Sequence, residues 1–96
     1  MRGGNIPHLS MTREEFEKEL IELLGEPHYK SKDANLWRWT SPSEHYNFTI
    51  EYMDVEKPYY HMLLGKTDEN QHAVYGFATR EEIVGKASRA RGELER

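Results

Sequence analysis

The chain reads as one α+β domain: a four-stranded antiparallel meander with an N-terminal and a C-terminal helix packed on one face, in the order α-β-β-β-β-α. Three observations predict this. Between Tyr46 and Met53, the residues Tyr46, Phe48, Ile50 and Tyr52 alternate with Asn47, Thr49, Glu51 and Met53, the period of a strand with one dry face. Phe16, Leu20, Leu23 and Leu24 recur at helical spacing. The tetrapeptide Thr-Arg-Glu-Glu stands at Thr12 and again at Thr79, each time before an apolar residue, as a helix-starting capping box does.

Taken in order, Met1 to Ser10 carry two glycines, a proline and little apolar content, and read as a flexible leader before a domain spanning residues 11–92. The first helix runs from about Thr12 to Leu24, with Met11 and Phe16 as a hydrophobic staple, Glu14 and Lys18 paired one turn apart, and Gly25 and Pro27 as the stop. Lys30 to Ala34 is polar and aperiodic, hence a connection. Asn35 to Thr40 forms a strand whose Trp37 and Trp39 share a side, and Ser41 to Glu44 is a turn. After the Tyr46–Met53 strand, Tyr59 to Leu64 and His72 to Phe77 form two more, separated by a polar loop through Thr67 to Asn70. The second helix carries the weaker stripe Ile83, Ala87, Ala90 and Leu94, is interrupted by Gly85 and ends near Gly92, leaving 93–96 as a tail. Nothing beyond the cap repeats between the helices, so the shared tetrapeptide is a local solution rather than a duplication.

Composition limits function. Ninety-six residues support one modest core, and 36% hydrophobic with 31% charged residues suits a globular chain rather than a disordered or membrane-spanning one. With no apolar N-terminal stretch, a cytoplasmic location is expected. The absence of cysteine removes disulfides and thiolate ligands. A net charge of −4, from 13 basic and 17 acidic side chains, disfavours nucleic-acid binding. Lys86, Arg89, Arg91 and Arg96 are interleaved with Glu93 and Glu95 as on a solvated helix end.

No phosphate loop, nucleophile elbow, helical metal pair or nuclease pattern occurs. If strand register allows, His61, His72, Glu51 and Arg38 meet on the polar side of the sheet. That cluster offers a base, a carboxylate and an anion-binding group for an enzyme or metal site, against the plainer reading of cross-strand polar pairs. The aromatic set says more. With two tryptophans, six tyrosines and three phenylalanines in a two-layer fold, not all the aromatic surface fits inside. Trp39, Phe48, Ile50, Met62, Leu64 and Phe77 are assigned to the core, leaving Trp37, Arg38, Tyr59, Tyr60 and Tyr75 as a partner-binding set.

The expectation is therefore a small non-enzymatic protein-binding module, of the kind that inhibitors, antitoxins and regulatory subunits represent, covering a partner's surface without a cofactor. The weakly protected His72–Tyr75 edge adds a homodimer by strand pairing. The rival expectations are the His/Glu/Arg site and a nucleic-acid-associated domain using the basic end of the second helix.

Overall fold

The computed structural model describes residues 10–66 and 72–95; the Thr67–Asn70 loop, nearly all of the leader and Arg96 lie outside the described residues. Two helices and one antiparallel sheet make up the chain. The elements are α1 (Arg13–Leu24), β1 (Tyr29–Lys30), β2 (Leu36–Thr40), β3 (Tyr46–Met53), β4 (Tyr59–Lys66), β5 (His72–Phe77) and α2 (Arg80–Leu94). The sheet has five strands rather than four, in the order β1-β2-β3-β4-β5. The extra strand is the two-residue β1, which pairs Tyr29 with Arg38 and Lys30 with Trp37. Two residues carry no readable period, so this stretch looks like a connection in the sequence. β4 also runs two residues past Leu64, and α2 continues through Leu94, so the expected tail begins inside the helix.

One sheet face is a nearly dry layer. Trp37 and Trp39 from β2, Phe48, Ile50 and Tyr52 from β3, and Tyr60, Met62 and Leu64 from β4 are buried together with Phe16 and Leu20 of α1 and Ile83, Ala87 and Ala90 of α2. Both helices thus bury their apolar stripes in the core built on that face. Phe16 is the junction, with its ring centroid 5.2 Å from Tyr52, 5.8 Å from Trp37 and 6.3 Å from Tyr60.

Buried polar tips are satisfied by the helices and their flanks, as burial requires. Trp37 Nε1 donates to Glu17 Oε2 (2.9 Å), Trp39 Nε1 to the Gly25 carbonyl (2.9 Å), Tyr52 OH to the Met11 carbonyl (2.7 Å) and Tyr60 OH to Glu82 Oε2 (3.0 Å). Gly25 holds φ +84°, a conformation that favours glycine, which ends α1 and aims its carbonyl at Trp39. Burial, and then the hydrogen bond to Glu82, pushes the Tyr60 hydroxyl far above its ordinary pKa, and burial also raises that of Tyr52.

The two Thr-Arg-Glu-Glu starts differ. At α1 the box closes: Thr12 Oγ1 accepts the Glu15 amide (3.2 Å) and Glu15 Oε1 accepts the Thr12 amide (2.9 Å). At α2 the Thr79 side chain accepts the Glu82 amide, but the Glu82 carboxylate is taken by Tyr60 and the Thr79 amide goes to the Phe77 carbonyl (2.8 Å). Arg80 forms an ion pair with Glu19, tying the helices together at that end.

Glu17 fastens α1 to the β1–β2 edge. Its carboxylate meets Lys30 Nζ (2.5 Å), Trp37 Nε1 and, at 3.6 Å, Arg13 Nη1. Burial alone would raise its pKa, but the hydrogen bonds from Lys30 and Trp37 and the charges of Lys30 and Arg13 outweigh it and hold the carboxyl below its usual range. A depressed folded-state pKa makes this contribution complete above the unfolded value, about 4.3, and lost as pH falls through the folded value. In urea titrations between about pH 5 and pH 2, E17Q is therefore expected to lose less stability on acidification than the unaltered protein. Identical pH slopes would contradict the role assigned to Glu17.

Gly76 lies opposite Tyr60 in the β4–β5 ladder, and a Cβ there would stand 2.6–2.7 Å from the Tyr60 hydroxyl and ring carbons. That ring is held on its other sides by Phe16 and Glu82. G76A is expected to cost about 1–3 kcal/mol in chemical unfolding through overpacking. The same change at Gly85, where no atom lies within 4 Å of the added carbon, is expected to stabilise α2 by about 0.5–1 kcal/mol.

Candidate functional site: the open face of the sheet

Strand alternation sends the complementary set of side chains to the face without helices, and the register sorts them into rungs. One rung is Met53, Tyr59 and Phe77; the next is Leu36, Glu51, His61 and Tyr75; a third is Tyr29, Arg38, Thr49, Leu63 and Ala73. The β4–β5 half of this face is apolar and aromatic. Tyr75 is 66% exposed and Phe77 64%, and Tyr59, His61 and Leu63 are half-buried beside them.

These side chains support one another. The His61 and Tyr75 rings stack with centroids 4.5 Å apart at 13°, and Tyr59 lies 6.4 Å from Tyr75. The Ala78 amide bonds the Pro58 carbonyl (3.0 Å), so residues 72, 74 and 76 make the ladder bonds to β4. His61 and Tyr75 therefore sit at a non-hydrogen-bonded rung, where facing side chains come closest. The β2–β3 half is polar. Arg38 donates to Thr49 Oγ1 (3.2 Å) and lies 5.5 Å from the centre of the exposed Tyr29 ring, and Glu51 stands directly opposite His61. The open face thus joins an aromatic area to a border that carries charges of both signs.

The structure divides the expected partner-binding residues. Tyr59 and Tyr75 come together on the open face, and Arg38 shares that face across β3. Trp37 and Tyr60 do not belong to it: both are fully buried on the helix-covered side, with their polar tips bound to Glu17 and Glu82. Phe77 makes the reverse correction, being exposed rather than in the core. On β5 both alternate sets contain apolar residues, so composition alone does not show which set faces inward. His61, absent from that set, and Leu63 complete the patch; their signal was their parity with Tyr59.

Of the polar cluster, Glu51 and His61 are cross-strand partners, whereas His72 pairs with Leu64, three rungs from the His61–Tyr75 pair. Among the described residues no three His, Asp or Glu side chains are grouped closely enough to hold a metal ion. A separate groove of about 690 Å³ lies between the C-terminal ends of the helices and β2, lined in part by Trp39, Arg91 and Leu94. His28, also on its wall, uses Nδ1 to accept the Thr40 amide (3.1 Å). No helix among the described residues is long and apolar enough to cross a membrane.

Comparison with protein-family models, with curated proteins and with solved structures finds no significant match.

The two classes of aromatic residue separate in stability. W37A is expected to cost about 3–5 kcal/mol in urea unfolding, and Y75A about 1 kcal/mol or less. Similar losses for both would place Tyr75 in the core.

Proposed function

We propose that this protein is a binding module that acts by covering the surface of a partner protein, with the β4–β5 half of the open sheet face as its contact area. The observation that carries the reading is the joining of Tyr59, His61, Leu63, Tyr75 and Phe77 into one accessible patch in a chain whose core is already closed by two helices. Large apolar side chains gathered on one side of a small domain are expensive to leave in water, and such patches mark contact surfaces. Tyrosine supplies wide apolar area with a hydrogen-bonding tip and little rotamer entropy to lose, the chemistry found at interface centres. Arg38 and Glu51 provide charges of both signs at the border, where they select a partner more than they add affinity. The sheet presents this patch on a rigid support, so binding requires little rearrangement.

The test replaces side chains on an interior strand, away from the sheet edge. The double variant Y59S/L63S is expected to lower recovery of a specific partner from lysate by about tenfold or more, the loss of about 1.4 kcal/mol or more of binding, while circular dichroism still reports the native fold. Undiminished recovery by the folded double variant overturns the reading.

A further inference from the structure

The two edges of the sheet are finished differently. Beyond β2, side chains and β1 close the edge: the Thr40 amide is taken by His28, the Leu36 amide by Ser31 Oγ (3.1 Å), and the Arg38 carbonyl accepts the His28 amide (2.8 Å). At the other edge the ladder alternation turns the amides and carbonyls of Ala73, Tyr75 and Phe77 away from β4. No strand lies beyond them among the described residues. The Phe77 carbonyl accepts the Thr79 amide and keeps a second lone pair; its amide points outward. β5 also contains no Asp, Glu, Lys, Arg or Pro, the residues that ordinarily protect an edge.

We infer that a second copy of this chain pairs with β5, antiparallel to it, about a two-fold axis through Tyr75, joining the two sheets into one. This register uses all three outward-facing residues: Tyr75 bonds Tyr75 of the second copy, and Ala73 bonds its Phe77. It also places bulky against small on both faces, Phe77 beside Ala73 and Val74 beside Gly76. An uncharged strand meets itself without repulsion, so the sequence Ala-Val-Tyr-Gly-Phe is complementary to its own reverse. A two-fold one residue away, through Val74 or Gly76, loses this match, setting valine against valine or Tyr75 against Phe77.

α2 packs over the middle of the sheet, against β3 rather than over β5. A groove of about 540 Å³ runs from Phe77 along α2, past Glu81, Gly85, Lys86 and Arg89. Its walls are acidic near the start of α2 and basic further on. The seam is short for an interface and belongs to the class detected at high protein concentration.

The pairing rests on the backbone edge of β5, independently of the heterologous contact proposed above, and it brings the two aromatic patches side by side. Its test uses the full chain. Sedimentation equilibrium at millimolar protein is expected to give twice the monomer mass. Amide exchange by NMR is expected to slow at Tyr75 as concentration rises, while exchange at Val74, already bonded to β4, stays constant. Y75P removes only an outward amide and leaves the ladder to β4 intact, and Y75K sets like charges face to face at the axis; both are expected to be folded monomers. Y59S/L63S, on the interior strand, is expected to remain a dimer, so loss of partner recovery and loss of self-association read out separately. A monomer throughout the concentration range, or Tyr75 exchange that does not respond to concentration, overturns the inference. So does a dimer that persists in both folded Tyr75 variants.

Discussion

Four aromatic side chains carry the architecture by being apolar along their length and polar at one end. Trp37, Trp39, Tyr52 and Tyr60 fill the layer between sheet and helices, and each must find a partner for its N–H or O–H there or lose the benefit of burial. The partners are Glu17, the Gly25 carbonyl, the Met11 carbonyl and Glu82, at the starts, middle and end of the two helices. Apolar contact brings the layers together without direction. These four bonds set where each helix lies and which way it runs. The open face follows, because helices fastened to one side leave the alternate side chains of every strand on the other.

Much of the scaffold was legible in the residues. The alternation from Tyr46 to Met53 identifies a sheet with one dry side, the Thr12 box and Gly25 bracket α1, and the two tryptophans two residues apart in β2 must share a fate. The site was less legible, because exposure depends on register and on which parity faces the helices. Trp37 and Tyr60 have the composition of contact residues and the positions of core residues. Position decides, since both lie in register with Ile50 and Tyr52, the dry set of β3. Phe77 is the opposite case: it ends a strand with apolar residues on both parities, just before the chain turns into α2. Glu17 gave no signal at all. Its importance comes from Lys30 and Trp37, distant in the chain and brought to it only by the fold.

The division of the open face has a physical origin in the meander. Neighbouring strands differ in what they must do: β3 is central and carries polar side chains outward while Phe48, Ile50 and Tyr52 of its inward set are buried, whereas β5 contributes Val74 and a glycine inward among the side chains described. Gly76 leaves room for the Tyr60 ring, so β5 gives up its own core contact to accommodate that of β4. The apolar surface of β5 is correspondingly turned outward, and among the described residues nothing covers Tyr75 and Phe77. The accessible patch and the underfilled strand are two sides of one packing choice.

The unequal starts of the two helices have a kinetic consequence. The hydrogen bonds that begin α1 lie within four consecutive residues, so that turn can form as soon as the segment exists and needs no distant strand to be in place. The carboxylate that would complete the same turn in α2 is held instead by a tyrosine 22 residues away, a link that exists only once Tyr60 and the start of α2 have come together. The first turn of α1 is thus closed by local contacts and the Glu82 link of α2 by a distant one. On that basis perturbing the Thr12 turn is expected to act mainly on the rate of folding, and perturbing the Glu82 link mainly on the rate of unfolding.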